Sequence, residues 1–337
     1  MTTIIPDLLG EPWVARRIPV TPSEAAPGAD HAILVHQRNA GAARHARAVL
    51  YIHGRTDYFF QTHLSAALEE ADYEFYALEM RGCGRAGADL PEGSFPHDTT
   101  DLLVYDEEIT EAVRILREEK GHDAVVLNAH STGGLSAALW AADHPGRVAA
   151  VTLNSPWLDL NASGFMRSYG TAAVDLMSRW MPGRVIVNPA APEADDEEAF
   201  EADPYARSLH AKWGGEWDWD LSLKPSPGWP ARAGFLTSVR RLQRRVRHGL
   251  GIEAPVLLCC STASAPPDAG REAVLQADAV LDVTQMVERA PFLGEDVTVR
   301  QIPGGVHDLA LSPEPARGEY LATLTGWLSA RLPCPSH

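Results

Sequence analysis

The residues with the clearest chemical potential lie in the stretch NAHSTGG, residues 128–134. The run before it, Asp123 to Leu127, is short, apolar and partly β-branched, whereas the run after it, Leu135 to Ala142, is rich in alanine and leucine. This pattern predicts a strand, a sharp turn and a helix, with Ser131 at the turn between two small residues. A turn of this kind exposes the serine hydroxyl for nucleophilic attack.

A serine hydroxyl is a weak nucleophile, so a base must accept its proton and a carboxylate must orient that base. In folds that place the serine on such a turn, the acid and then the histidine follow it along the chain, each after a later strand. The last predicted strand, VTVRQI, leads into a glycine turn that ends at His307. We therefore predict Ser131 as the nucleophile and His307 as its general base.

Three carboxylates compete for the role of the orienting acid. They follow the predicted strand APVLLCC and are Asp268, Asp278 and Asp282. Asp278 is favoured because a helix and a strand fit between it and His307, whereas Asp268 lies in a stretch rich in proline and glycine. Asp282 is suited instead to cap the helix that follows it.

Two backbone N–H groups are predicted to stabilise the oxyanion of the reaction. One is that of Thr132, at the amino end of the helix, and the other is that of Arg55, in the loop HGRT after the third predicted strand. The side chains of His53 and His130 are given structural roles, and His53 is expected to fix the oxyanion loop through hydrogen bonds. The predicted substrate contacts are Asp57, Tyr58, Trp157, Phe235 and Val239.

The elements that must position these groups alternate along the chain. Two opening strands joined by a turn predict an antiparallel start, after which apolar strands alternate with helical patterns. Such alternation predicts a mostly parallel sheet covered by helices on both faces. The predicted strands are Trp13 to Val20, His31 to Gln37, Ala46 to His53, Tyr73 to Glu79, Asp123 to Ala129, Val148 to Leu153, Ala254 to Cys260 and Asp296 to Ile302.

The alternation is interrupted between about residues 158 and 251. Most of the tryptophans of the chain lie in or beside this segment, and its last part carries an apolar stripe at helical spacing, with arginines largely on the other faces. An insertion so rich in indole rings is expected to roof an apolar pocket, to form a small core of its own, or to do both. The stripe consists of Phe235, Leu236, Val239, Leu242 and Val246, and together with the tryptophans it is expected to roof the serine.

Composition restricts the partners of the protein. In its 337 residues, 29 lysines and arginines stand against 45 aspartates and glutamates, and the formal net charge of -16 argues against nucleic acid and against anionic membranes. The sequence shows no secretory signal and no apolar segment of transmembrane length, so a cytoplasmic location is expected. The four cysteines predict neither a disulfide framework nor a zinc site, and no metal or organic cofactor is expected.

Several motifs resemble those of the α/β-hydrolase superfamily, in its monoglyceride lipase and lysophospholipase-like branch. They are AHSTG around Ser131, YIHG at 51–54, RGCGR at 81–85, ADAVLD around Asp278 and GGVHD around His307. The resemblance implies an eight-stranded sheet, a core of residues 1–157 and 252–337, and a helical cap of residues 158–251 inserted after the sixth strand. Ala129 departs from the usual glycine of the serine turn, and the acid lies farther beyond its strand than is usual.

The predicted function is that of a serine hydrolase. Its expected substrate is a small-molecule carboxylic ester, thioester or lactone with an apolar portion, cleaved through an acyl-enzyme on Ser131. Two alternatives stay open at this point: an acyltransferase or cyclase that uses the same three residues, and a ligand-binding protein without useful turnover. Dehalogenases and epoxide hydrolases of this superfamily use an aspartate nucleophile, which excludes them here. The oligomeric state is not predicted.

Overall fold

A nine-stranded sheet forms the centre of the molecule. The computed structural model describes residues 4–38, 43–92, 94–160, 181, 183–187, 203–266 and 269–332. The strands of the sheet are β1 (Ile4–Pro6), β2 (Trp13–Pro19), β3 (His31–Gln37), β4 (Arg47–Ile52), β5 (Tyr73–Glu79), β6 (Ala124–His130), β7 (Ala150–Asn154), β10 (Val256–Ser261) and β11 (Val297–Ile302). Two short strands, β8 (Val185–Val187) and β9 (Ala231–Arg232), pair with each other outside it.

The described helices lie mostly between the strands. They are α1 (Thr62–Glu70), α2 (Gly84–Gly87), α3 (Asp106–Arg114), α4 (Ser131–Asp143), α5 (Pro204–Leu209), α6 (Ala233–Arg247), α7 (Arg271–Val274), α8 (Val283–Arg289) and α9 (Ala316–Arg331). A π-helical turn (Ile115–Glu119) extends α3. Short 3₁₀ helices span Leu102–Tyr105, Ala211–Trp213, Ala290–Phe292 and Leu309–Leu311.

The order of strands in the sheet is β1-β2-β3-β5-β4-β6-β7-β10-β11. The pairs among β1, β2, β3 and β5 are antiparallel, and all later pairs are parallel. The predicted antiparallel start and mostly parallel sheet are therefore confirmed. The expected count of eight strands is one too low, because β1 has only three residues, all exposed, and gives no hydrophobic pattern. The interruption at residue 158 consequently follows the seventh strand of the sheet.

Both faces of the sheet are buried, as a parallel sheet requires. Along β4, Leu50 packs in one hydrophobic cluster, whereas its neighbours Val49 and Tyr51 pack in a second cluster. Helices α3, α4, α6 and α8 contribute to the first cluster, and α1 and α9 contribute to the second. The helices therefore cover both faces, and the carboxyl ends of the parallel strands are left to carry the loops.

The amphipathic helix α6 packs on the core rather than above the serine. Its apolar stripe, which includes Val239 and Leu242, belongs to the same cluster as the residues of α3 and α4. Its arginine face is bound to acidic groups of the core: Arg241 pairs with Asp101 at 2.6 Å and Arg245 with Asp143 at 2.7 Å. The expectation that this stripe roofs the serine was wrong, because helical spacing shows that a face is buried but not which surface it meets.

Some predicted features lie outside the described residues. These are the candidate acid Asp268 and most of the first part of the predicted cap, residues 161–180 and 188–202. Of the four cysteines, Cys83, Cys259 and Cys260 are buried thiols, as expected for reduced cysteines in the core. Within the described part of the chain, every helix is too short or too polar to cross a lipid bilayer.

Candidate active site

The turn between β6 and α4 holds Ser131 in a strained conformation. Its φ of 53° lies in the left-handed region, which a residue with a side chain rarely adopts. The helix begins so close to its neighbours that a Cβ on Gly133 would lie 2.2 Å from the carbonyl oxygen of His53. A Cβ on Gly134 would lie 2.8 Å from Pro156. The small residues after the serine therefore let the turn pack against the loop after β4.

The structure brings Ser131, His307 and Asp278 into one hydrogen-bonded line. His307 Nε2 lies 3.0 Å from Ser131 Oγ, and His307 Nδ1 lies 2.8 Å from Asp278 Oδ2. Asp278 is fully buried and His307 is 4% exposed, whereas Ser131 is partly exposed. With Nδ1–H donating to the carboxylate, Nε2 is free to accept the serine proton.

Asp278 reaches His307 because its loop returns to the end of β10. Its backbone N–H donates to the carbonyl oxygen of Ala263 at 2.9 Å, and its own carbonyl accepts the N–H of Ala265 at 2.8 Å. The second carboxylate oxygen, Oδ1, accepts the N–H groups of Val280 and Leu281, both at 2.8 Å. These contacts explain how an acid far beyond its strand in sequence is nevertheless held at the strand end.

The competing carboxylate Asp282 has a different position. Its side chain accepts the N–H of Thr284 at 2.9 Å and so caps α8, which confirms the predicted cap. Asp268 lies outside the described residues. Of the two candidates that the structure describes, only Asp278 is hydrogen-bonded to the imidazole of His307.

A buried polar network fixes the loop that carries His307. The next residue, Asp308, accepts hydrogen bonds from Asn154 Nδ2 at 2.8 Å and from Gln61 Nε2 at 3.1 Å. Its backbone N–H donates to the hydroxyl of Tyr205 at 2.8 Å. The network joins the loop after β4 and the last residue of β7 to the loop after β11, so it sets the direction in which the imidazole points.

One cluster of described residues has the spacing of a metal site. Asp57, His130 and Asp308 are buried, and one potential ligand atom of each lies within 4.8 Å of the others. Burial raises the pKa of the Asp308 carboxyl, but the positive charges of His130 and Lys224 and its hydrogen bonds outweigh burial and lower it overall. Lys224 Nζ also lies 2.7 Å from Asp57 Oδ1. A divalent cation would be repelled by this ammonium, so the donor set does not suit a metal.

The loop after β4 is held by two histidines. His53 Nδ1 donates to the carbonyl oxygen of Gly54 at 2.6 Å, and His53 Nε2 accepts the N–H of Met80 at 3.2 Å. The N–H of Thr56 donates to Nδ1 of His97 at 3.2 Å. Burial, helped by nearby positive groups, holds the pKa of His97 well below its usual value, so this ring stays neutral and accepts the bond.

The two predicted oxyanion donors lie beside the nucleophile. Arg55 sits within this fixed loop, and Thr132 is the second residue of α4, where backbone N–H groups have no acceptor inside the helix. Both residues line the same cavity as Ser131. Their role as donors stays a prediction, which the arrangement of the loop and the helix supports.

The serine opens into a cavity of about 450 Å³. Its apolar wall consists of Trp157, Ala206, Pro225, Val280 and Leu281. Its polar wall consists of Arg55, Thr56, Asp57, Asp203, Tyr205 and Lys224. The predicted contacts Asp57 and Trp157 therefore line the cavity. Sequence reasoning missed Lys224 and Tyr205, and it missed Val280 and Leu281 although they follow Asp278 directly.

The other three predicted substrate contacts lie elsewhere. Tyr58 is 1% exposed, and its hydroxyl accepts the N–H of Asp220 at 2.7 Å. Phe235 packs beneath the guanidinium of Arg55, with the ring centroid 5.1 Å from that group. Val239 is fully buried in the core. These residues support the walls of the site but do not line the cavity beside Ser131.

Comparison with known proteins identifies relatives of this chain. The family model described as serine aminopeptidase, S33, matches residues 43–216, which is just over half of the chain. The search of curated protein sequences found no match to this chain.

Solved structures resemble the fold over most of its length. A monoacylglycerol lipase from Paleococcus ferrophilus is 20% identical, with a TM-score of 0.56 over 84% of this chain and 94% of that one. A soluble variant of monoglyceride lipase from Saccharomyces cerevisiae is 15% identical, with a TM-score of 0.62 over 93% and 96%. Est1E from Butyrivibrio proteoclasticus, solved with ferulic acid, is 13% identical, with a TM-score of 0.54 over 90% and 96%. At these identities the likeness shows a shared fold.

Proposed function

This chain belongs to the serine aminopeptidase S33 family and has the α/β-hydrolase fold, and from that premise we propose that it is a serine hydrolase of carboxylic esters. One observation carries the proposal: Ser131, His307 and Asp278 form a continuous hydrogen-bonded line that opens into a cavity. The lipase and esterase neighbours favour an ester over a peptide as the substrate.

The proposed reaction runs through an acyl-enzyme. Ser131 Oγ attacks the ester carbonyl while His307 Nε2 takes its proton, and Asp278 stabilises the resulting imidazolium. The carbonyl oxygen becomes an oxyanion that accepts N–H bonds from Arg55 and Thr132. When the C–O bond breaks, His307 returns the proton to the leaving alcohol. Water then attacks the acyl-serine by the same route and releases the acid.

The walls of the cavity favour a substrate with an apolar portion. Trp157, Val280 and Leu281 offer apolar surface next to the nucleophile. A volume of about 450 Å³ is in the range of small-molecule sites and accommodates a medium-length acyl chain. Each methylene that leaves water there contributes about 0.8 kcal/mol, close to fourfold in kcat/KM.

We propose that residues 158–251 form a cap on a core of residues 1–157 and 252–337. Within it, the described segment 203–230 is the roof, since six of its residues line the cavity. The contacts that fasten the roof include the Asp220 N–H, which donates to the Tyr58 hydroxyl at 2.7 Å, and Trp217 Nε1, which donates to the carbonyl oxygen of Leu311 at 2.8 Å. Helix α6 then returns the chain to the core.

The test is a series of p-nitrophenyl esters with the variant Ser131→Ala as the control. We expect the parent to hydrolyse the esters and the variant to lose about a thousandfold or more in kcat, because the hydroxyl forms the covalent intermediate. A variant that keeps activity within about tenfold of the parent would rule out the acyl-enzyme on Ser131.

Two further measurements separate the neighbouring functions. A fluorophosphonate probe should label the parent at Ser131, whereas a binding protein without turnover would stay unlabelled. Product analysis with added alcohols distinguishes hydrolysis from acyl transfer or cyclisation, since these differ only in the nucleophile that meets the acyl-serine. An aminoacyl p-nitroanilide serves as the comparison for peptidase activity, and we expect it to be the poorer substrate.

A further inference from the structure

We propose that the ion pair of Lys224 and Asp57 in the cavity wall binds a hydroxyl group of the substrate. The preferred ester would then carry an O–H near the scissile bond in addition to its apolar portion. This inference deepens the proposed esterase function and rests on it.

The pair is buried, yet it faces the same cavity as the nucleophile. Lys224 Nζ lies 2.7 Å from Asp57 Oδ1, and the two side chains are 13% and 4% exposed. Both residues line the cavity together with Ser131. The ammonium also lies over the rings of Phe60 and Trp219, at 5.0 and 5.1 Å from their centroids. The aromatic faces therefore hold the lysine in place at the wall.

The pair has hydrogen-bonding capacity to spare. Of the three protons on the Lys224 ammonium, one is used by Asp57, which is its one hydrogen-bond acceptor among the described residues. Asp57 Oδ2 is buried and has no partner in the described part of the protein. Buried polar atoms are normally paired, so an acceptor left over beside a binding cavity needs an explanation. A substrate group seated against the pair supplies one.

A hydroxyl fits both halves of the pair. It accepts a bond from Lys224 through an oxygen lone pair and donates its proton to the Asp57 carboxylate. A charged group fits less well, because an ammonium would meet the like charge of Lys224 and a carboxylate that of Asp57, whereas a hydroxyl finds a complementary partner in both. The local charges therefore select a neutral group that both donates and accepts.

The pair lies near the reacting atoms. Asp57 belongs to the cluster in which a ligand atom of His130 lies within 4.8 Å of a carboxylate oxygen. His130 directly precedes Ser131, and its ring centroid lies 4.8 Å from that of His307. A hydroxyl bound at the pair is thus expected on an atom close to the ester linkage, on either the acyl or the alcohol side.

The ion pair also fastens the roof segment to the loop after β4, and a purely structural role is the competing explanation. Loss of a structural contact would lower kcat/KM for all esters by a similar factor. Loss of a hydroxyl site would lower it only for the hydroxylated ester. The ratio of kcat/KM between matched esters with and without a hydroxyl therefore distinguishes the two roles.

The experiment uses two matched pairs of esters, and a pH-stat measures the rate at which each ester is hydrolysed. For the alcohol side, 2-hydroxyethyl butyrate is compared with propyl butyrate, and for the acyl side, ethyl 3-hydroxybutanoate with ethyl 3-methylbutanoate. We expect the parent protein to prefer the hydroxylated member of one pair by about tenfold or more in kcat/KM. The pair that shows the preference identifies the side that carries the hydroxyl. No preference in either pair would overturn the proposal, and this result needs no variant.

The double variant Asp57→Asn with Lys224→Met removes both charges and leaves neither buried alone. We expect its preference for the hydroxylated ester to fall to about twofold or less. The control Asp159→Asn weakens ion pairs with Arg247 and Arg289, which lie outside the residues that line the cavity, and should keep the parent ratio. An unchanged ratio in the double variant would overturn the proposal.

Binding to Ser131→Ala separates this inference from the esterase proposal. Calorimetric titration with the same ester pairs measures the preference for a hydroxyl without any turnover. A protein that hydrolyses no ester and takes no fluorophosphonate label, yet binds the hydroxylated ester about tenfold more tightly, would refute the esterase function and support the hydroxyl site. Equal affinities within both pairs would overturn the hydroxyl site.

Discussion

Replacing Asp278 by asparagine should give His307 the wrong tautomer. Asp278 Oδ2 lies 2.8 Å from His307 Nδ1, while Oδ1 accepts the N–H groups of Val280 and Leu281. Because these two donors require an oxygen, the amide oxygen of asparagine takes their side and its NH₂ group faces His307. Nδ1 must then accept, so Nε2 carries the proton. The imidazole points an N–H at Ser131 and can no longer take its proton.

The size of the effect follows from the same contacts. The opposite amide orientation would leave the N–H groups of Val280 and Leu281 facing an NH₂ group. Each unpaired donor would cost about 1–3 kcal/mol. The unproductive tautomer is therefore favoured by about 2–6 kcal/mol. The loss of the carboxylate also removes the charge that stabilises the imidazolium. We expect kcat to fall by about 10³ to 10⁴, or about 4–5.5 kcal/mol, with little change in KM.

The assay is kcat for p-nitrophenyl butyrate, with Asp282→Asn as the matched control. Asp282 caps α8 through the N–H of Thr284, and asparagine caps helices as well as aspartate does. The control should therefore keep activity within about twofold. If Asp278→Asn stays within about tenfold of the parent, or if the control is the inactive variant, the argument from the hydrogen bonds of Asp278 is wrong.

Four other results are expected. Gly133→Ala should lower the free energy of unfolding by about 3 kcal/mol or more, because its Cβ would lie 2.2 Å from the His53 carbonyl oxygen. Gly326 lies in α9 and has open space where a Cβ would be, so Gly326→Ala should raise the free energy of unfolding by about 0.5–1 kcal/mol. Urea midpoints equal to that of the parent protein would contradict both expectations. Burial lowers the pKa of His36 from 6.5 to about 4, so the unfolded chain binds this proton at a higher pH than the folded protein does. The free energy of unfolding therefore falls by about 3 kcal/mol as the pH drops from about 6.5 to about 4. His36→Phe should flatten that decline in urea titrations, and an unchanged slope would refute the assignment. Finally, kcat/KM should rise about fourfold per methylene from acetyl esters until the cavity is full, whereas a steady fall from acetyl onward would show that the apolar wall does not bind the acyl chain.

The parallel part of the fold could be predicted because its buried strands are short apolar runs that alternate along the chain with longer helical patterns. The apolar run of β6 and the small residues at the start of α4 mark the serine turn by themselves. The edge strand β1 could not be predicted in this way, since its three residues are exposed and carry no alternation. Helix α1 was also missed: the run Thr62–Glu70 buries only three residues, and its pattern is correspondingly weak.

The partner of an amphipathic helix is harder to predict than the helix itself. The stripe on α6 correctly indicated one buried face, and it lies in the core cluster with α3 and α4. Its placement above the serine was wrong because periodicity carries no information about the opposing surface. The tryptophans likewise predicted either a cavity wall or a small core, and both occur. Trp157 lines the cavity, whereas Trp219 packs against Phe60 with a distance of 5.5 Å between ring centroids.

The three residues of the hydrogen-bonded line could be proposed from sequence since each follows a strand, and strand ends meet at one edge of a parallel sheet. Asp278 had two competitors because its loop is long and contains three carboxylates, and the contacts with Ala263 and Ala265 show how that loop returns to the strand. The network around Asp308 gave no local signal, because its partners Gln61 and Asn154 are distant in sequence and lie just before α1 and at the end of β7.

The pairing of Lys224 with Asp57 marks the limit of what spacing can predict. The two residues are 167 positions apart, and neither belongs to a recognisable motif. Burial of such a pair is a poor source of stability, because the desolvation of two charges offsets most of their attraction. A well-packed apolar contact would fasten the roof segment at lower cost. The presence of this buried pair in the wall of the cavity is therefore better explained by a polar group of the substrate than by the demands of the fold.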